Sequence, residues 1–138
     1  MIHIKSIKPL FTSIVTTGDK FEKDMIQSGV IIARKGDLKL WQKVLAVGSS
    51  VRDISVGDQV MINADHYIVK KYSKDSIQND MDNNPSLGYR FNWVTIDDEN
   101  GEPKDCLLLN DRDILYVFEG EEKDETLIVS GKSKLIIN

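Results

Sequence analysis

Hydrophobic and polar positions alternate along this chain in short segments separated by turn-forming residues. Runs rich in β-branched residues are typical of strands, and pairs such as Gly-Asp or Asn-Gly are typical of turns. No segment has a long helical period, although residues 110–113 could form one capped turn. The pattern predicts an all-β barrel or sandwich, with strands within residues 8–17, 42–50, 56–63, 67–69, 91–96, 106–109, 114–118 and 126–129. Asn100-Gly101 predicts a type I′ turn between two of them.

Three polar segments interrupt the regular spacing of the strands: residues 18–40, 73–90 and 119–125. The first is punctuated by glycines and surrounds an isolated apolar group, Val30-Ile31-Ile32. A long loop inside a small domain is uncommon and is often functional. On pattern alone, the more common explanation for an apolar triplet is a buried core strand. Both interpretations remain open at this point.

Composition indicates one globular domain. The chain has 138 residues, with 18 Lys and Arg against 22 Asp and Glu, a net charge of −4 and a pI near 5.2. The acidic balance argues against a nucleic-acid module. The single cysteine, Cys106, excludes an internal disulfide framework and is typical of a reducing compartment. The apolar runs are too short to cross a bilayer, and the first residues lack an apolar signal region, so we expect a cytoplasmic location without a membrane partner.

Few residues in the sequence suggest catalysis. His3, His66 and Cys106 are too few for a structural zinc site, and no phosphate-binding loop, GxGxxG or GxSxG motif occurs. His66 follows Asp65, so the two could form a carboxylate–imidazole pair, but a turn followed by a strand is the more common arrangement. Cys106 precedes three leucines and is predicted to be buried. We therefore expect no catalytic residue, no metal and no cofactor.

Five segments in a fixed order carry a family resemblance: residues 7–10 (IKPL), 28–32 (SGVII), 43–48 (KVLAVG), 56–63 (VGDQVMIN) and 110–117 (NDRDILYV). In this order and spacing the chain resembles the GroES-type co-chaperonins, the small subunits that cap chaperonin rings. The family's corresponding motifs are I-R-P-L, G-G-I-V-L, G-x-V-L-A-V-G, V-K-V-G-D-x-V-I-F-N and S-E-S-D-I-L-A-I-V. The matches span most of residues 7–118.

The resemblance implies a GroES-like irregular β-barrel over residues 1–118, with a mobile loop at about 18–40. It further implies a homo-heptamer that caps a chaperonin ring and assists folding of an enclosed protein, with ATP bound by the partner chaperonin. The chaperonin-binding residues would be Gly29, Val30, Ile31 and Ile32, which match the apolar element of the family's mobile loop.

The chain also departs from the family pattern. Residues 49–55 replace a longer roof hairpin, as in phage-encoded members, and the insertion at about 73–90 has no counterpart. The acidic linker and C-terminal tail at 119–138 also have no counterpart in the family pattern. These departures permit an alternative, a phage virion structural or accessory protein that reuses the barrel without binding a chaperonin. The location would then be the host cytoplasm or the virion. A third class, a fragment of a zinc-dependent alcohol dehydrogenase, lacks the required zinc ligands and dinucleotide-binding domain.

Overall fold

Strands account for the regular structure of the chain. The computed structural model describes residues 2–71 and 86–123, and in these ranges it contains no α-helix and two short 3₁₀ turns, Asp65–Tyr67 and Asp111–Asp113. The predicted all-β class is therefore confirmed. The described residues form ten strands: β1 Ser13–Thr17, β2 Met25–Gln27, β3 Val30–Ala33, β4 Trp41–Val47, β5 Gln59–Ile62, β6 Ile68–Lys71, β7 Ser86–Tyr89, β8 Asn92–Asp97, β9 Pro103–Asn110 and β10 Ile114–Phe118.

Six strands form one antiparallel sheet in the order β10-β5-β4-β1-β9-β8. β1 lies at its centre, paired with β4 on one side and with β9 on the other. β10 and β8 are the two ends of this order, so the hydrogen bonds of the described residues do not close the sheet into a ring. The other four described strands form two separate two-stranded ribbons, β2–β3 and β6–β7.

Alternate side chains of β4 and β5 contribute to the core. Successive residues of a strand point to opposite faces, and accordingly Val44 of β4 and Val60 and Ile62 of β5 are buried while their neighbours are more accessible. One buried group is formed by Ile14, Val44 and Val60, and a second contains Ile62, Ala64, Phe91, Leu107 and Leu109. Ile114 packs against both groups and joins them into one core.

The predicted hairpin of residues 91–109 is confirmed, but its predicted turn is wrong. β8 and β9 pair from Asn92↔Leu108 to Asp97↔Pro103, which leaves five residues in the connection. The Asp98 carboxylate accepts hydrogen bonds from the backbone N–H groups of Asn100 and Glu102, at 2.8 and 2.9 Å. Only Gly101 of the Asn-Gly pair has a positive φ, whereas a type I′ turn requires two. The side chain of Asp98 thus organises a longer loop.

The other strand predictions agree with the structure to within a few residues. The run at 8–17 becomes a strand only from Ser13, because residues 10–13 form a turn in which Phe11 adopts a φ of 57°. The capped turn predicted at 110–113 is present, with Asn110 as its capping residue. Of the polar segment 73–90, residues 86–89 form β7. The predicted strand at 126–129 lies outside the described residues.

Candidate functional site in the β2–β3 hairpin

The apolar triplet lies in a hairpin that the sequence pattern did not predict. β2 and β3 pair through Met25↔Ala33, Ile26↔Ile31 and Gln27↔Val30, and only Ser28 and Gly29 connect them. Both connecting residues have positive φ, 52° and 78°, which is the signature of a type I′ turn. A type I′ turn thus lies at Ser28-Gly29, where the sequence analysis predicted none.

The side chains of the triplet are exposed rather than buried. Val30, Ile31 and Ile32 have 62%, 42% and 60% of their surface accessible, and Ile26 across the ribbon is also exposed. The interpretation of the triplet as a core strand is therefore wrong for the isolated chain. Because side chains alternate along a strand, both faces of this ribbon present aliphatic groups to solvent. Contiguous exposed apolar groups of this kind often mark an interaction site.

A buried glutamine joins the two ends of the segment that carries the hairpin. The Gln42 side chain is 3% exposed. Its Oε1 accepts hydrogen bonds from the Thr17 hydroxyl at 2.7 Å and from the Asp19 N–H at 2.9 Å. Its Nε2 donates to the backbone carbonyls of Asp19 and Lys39, at 3.0 and 2.7 Å. Gln42 thus fixes the entry and exit of residues 18–40 on the sheet, a role for which its sequence context gives no signal.

Two carboxylates shape the return of the hairpin toward the sheet. Asp24 accepts a hydrogen bond from the Lys35 N–H at 2.8 Å, and Asp37 accepts one from the Arg34 N–H at 2.9 Å. Backbone hydrogen bonds from Phe21 N–H to the Asp37 carbonyl and from Gly36 N–H to the Phe21 carbonyl, both 2.8 Å, close the base. The hairpin therefore stands on a hydrogen-bonded base, with its apolar tip away from it.

A groove separates the hairpin from the outer face of the sheet. It has a volume of about 890 Å³. Its apolar lining comes from the hairpin segment and from β4, β5 and β10, and includes Phe21, Met25, Ile32, Trp41, Met61 and Phe118. Phe21 packs edge-on against Trp41, with ring centroids 5.6 Å apart. Among the described residues, the buried indole N–H of Trp41 has no hydrogen-bond acceptor.

His66 does form a carboxylate–imidazole pair, but its partner is Asp113 rather than the neighbouring Asp65. The predicted turn followed by a strand is confirmed, because Asp65–Tyr67 form a 3₁₀ turn directly before β6. His66 Nδ1 lies 2.8 Å from Asp113 Oδ1, and the Tyr67 hydroxyl donates to Asp113 Oδ2 at 2.5 Å. The Asn110 N–H donates to the same Oδ2 at 3.0 Å. The sequence could not indicate this cluster, since His66 and Asp113 are 47 positions apart in the chain.

The cluster shifts the pKa of two of its groups. Burial of Asp113 acts to raise its pKa, but the hydrogen bonds from Tyr67, His66 and Asn110 outweigh burial and hold that pKa below its usual value. Burial and the hydrogen bond to Asp113 raise the pKa of Tyr67, so its hydroxyl remains a donor. The arrangement connects the 3₁₀ turn before β6 with the β9–β10 connection, which is a structural role.

The remaining candidates for chemistry give no site. Cys106 is buried as predicted, and burial raises the pKa of its thiol, which makes the reactive thiolate scarce. Within residues 2–71 and 86–123, no group of His, Cys, Asp and Glu side chains could hold a metal ion. The same part of the chain contains no helix long and apolar enough to cross a membrane.

Comparison with models of protein families finds none that matches the chain, and comparison with the curated proteins finds no match either.

Proposed function

We propose that the chain is a GroES-type co-chaperonin, which caps an ATP-driven chaperonin ring and assists folding of the protein enclosed there. In this proposal the six-stranded sheet belongs to the family's irregular barrel, the subunits assemble as a heptamer, and ATP is bound by the chaperonin. The observation that carries the proposal is the exposed aliphatic tip of the β2–β3 hairpin, at the position of the family's mobile loop.

The chemistry of the hairpin suits a binding element that must also be released. Burying Val30, Ile31 and Ile32 in an apolar partner groove would contribute about 1.5–3 kcal/mol each. Fixing the backbone of a flexible loop would oppose this by about 1–2 kcal/mol per residue. The two-residue turn and the strand pairing favour a hairpin before binding, which lowers that cost. One hairpin would bind weakly, and several on one ring would bind well through their effective concentration.

The proposal is tested by placing a charge at the hairpin tip. Ile31→Asp should abolish capping of a chaperonin in the presence of ATP, because burial of an unpaired carboxylate is strongly unfavourable. Val56→Asp is the matched control, since Val56 is 63% exposed but lies in the turn before β5. Chaperonin ATPase activity and co-elution in gel filtration measure capping. If Ile31→Asp caps as well as the unmodified chain, the hairpin tip is not the binding element.

The second candidate is a phage virion component that reuses the barrel without meeting a chaperonin. Its structural basis is an edge of the sheet: β10 is an end strand, and its Leu115, Tyr116 and Val117 side chains are exposed. Such a strand can pair with another chain. This candidate predicts a stoichiometric amount of the protein in purified particles. Absence from the particles would eliminate it, whereas capping activity would favour the co-chaperonin.

A further inference from the structure

The chain leaves the described fold along the groove beside the hairpin. After β10, residues 120–123 line this groove. The Gly120 N–H donates to Gln59 Oε1 at 3.2 Å, and Lys39 Nζ lies 3.0 Å from Glu122 Oε2. These two contacts hold the backbone against the groove at the point where the tail, residues 124–138, begins.

The groove presents an apolar surface that a short extended segment would cover. Its volume of about 890 Å³ lies in the usual range of ligand pockets, about 300–1,000 Å³. Trp41, Met61 and Phe118 contribute its sheet side, and Met25 and Ile32 contribute its hairpin side. The Trp41 ring therefore forms part of the groove wall and reports on whether the groove is covered.

The tail carries a matching apolar stretch immediately after the groove. Thr126-Leu127-Ile128-Val129 begins three residues after Lys123. Three extended residues span at most about 11 Å, so this stretch remains within reach of the groove in the same chain. The short connection gives it a high effective concentration there. The second apolar stretch, Leu135-Ile136-Ile137, begins nine residues further along the chain than Thr126.

We infer that residues 126–129 of the same chain dock in the groove between the β2–β3 hairpin and the sheet. Leu127, Ile128 and Val129 would cover the apolar walls of the groove, which include the Trp41 ring. The inference goes beyond the proposed function, because docking needs no chaperonin and no assembly.

The test uses the full chain with Trp93→Phe, which leaves Trp41 as its single tryptophan. In this background, the double substitution Leu127→Asp and Ile128→Asp should change the NMR chemical shift of the Trp41 indole N–H. It should also increase collisional quenching of Trp41 fluorescence by acrylamide. Leu135→Asp with Ile136→Asp is the matched control and should leave both readouts unchanged. Unchanged resonances of the six-stranded sheet would show that the fold is intact.

Three results would overturn the inference. An unchanged Trp41 signal in the Leu127→Asp, Ile128→Asp variant would show that the stretch does not occupy the groove. An equal effect of the control pair would remove the assignment to residues 126–129. If dilution of the unmodified tail in the Trp93→Phe background changed the Trp41 signal and its quenching in the same way, the tail of a second copy would occupy the groove instead. None of these results depends on chaperonin binding, so this inference and the proposed function can fail independently.

Discussion

The Asp113 carboxylate accepts hydrogen bonds from three donors while it is almost fully buried. Two come from the turn before β6, through His66 and Tyr67, and the third is the backbone N–H of Asn110. Because these bonds favour the ionised form, they hold its pKa below the usual value in the folded state. A group with a depressed folded-state pKa stabilises the fold at pH values above its unfolded-state pKa. That contribution is lost as the pH falls through the folded-state pKa.

Asp113→Asn should therefore lower the free energy of unfolding by about 1–3 kcal/mol at pH 7, since an amide cannot accept all three bonds. The difference between the two proteins should shrink as the pH falls below the unfolded-state aspartate pKa of about 3.9. Urea unfolding at pH 7, 5, 4 and 3 measures this difference. Asp65→Asn is the control, because Asp65 is exposed beside the same histidine. A difference independent of pH would show that the charge of Asp113 is not what stabilises the fold.

At the scale of an element, the β2–β3 hairpin depends on its two-residue turn. Gly29 adopts a φ of 78°, and a side chain at this position would meet open space. A substitution there therefore costs backbone strain alone. Ser28, with a φ of 52°, already bears part of that strain, because residues other than glycine and asparagine rarely adopt this conformation.

Gly29→Ala should destabilise the hairpin by about 1–2 kcal/mol, and Ser28→Asn should stabilise it, because Asn-Gly is the preferred type I′ pair. Amide exchange of residues 25–33 measures the hairpin directly. Exchange should become faster in Gly29→Ala and slower in Ser28→Asn. The amides of β1 serve as the internal reference and should not change. Equal exchange in all three proteins would exclude a stable type I′ turn in solution.

Strands could be predicted from the sequence where the residues that specify them lie within a few positions of one another. Alternation in Gln59–Ile62 and the Gly57-Asp58 turn before it lie within a few residues, and the structure has the strand there. The β2–β3 hairpin was missed because Ser-Gly is a weaker turn signal than Asn-Gly, and an apolar triplet does not reveal its own exposure. The roles of Gln42 and Asp113 were missed because their partners are distant in sequence. The assignment of Gly29 to Ile32 as a chaperonin-binding element remains a prediction.

At the scale of the whole molecule, the β10 edge of the sheet is the main candidate for a contact between subunits. β10 pairs only with β5 among the strands of this sheet, and it exposes Leu115, Tyr116 and Val117. A monomer with such an edge risks uncontrolled pairing. Assembly into a closed ring would remove this risk, because each edge would be covered by a neighbour.

Native mass spectrometry should show an assembly of the unmodified chain, with seven subunits if the resemblance holds. Val117→Lys should shift the population toward monomer, because a buried ammonium opposes close pairing of strand edges. Val56→Lys, a charge at an exposed site in the turn before β5, should assemble normally. Addition of a chaperonin and ATP to the same sample should yield the capped complex. A monomeric unmodified chain would contradict ring formation and favour the alternative function.

The central position of β1 has a consequence for the synthesis of the chain. β1 needs both β4 and β9 as neighbours, and the Asn110 side chain that bonds to Thr12 lies 98 residues later. At about 5–20 residues per second, the ribosome exposes one edge of β1 for roughly 5–20 seconds before its partner exists. The pairing of β1 with β9 must therefore form late in translation or after it. Until then the free edge of β1 can pair with other chains, which makes the newly made protein prone to aggregation.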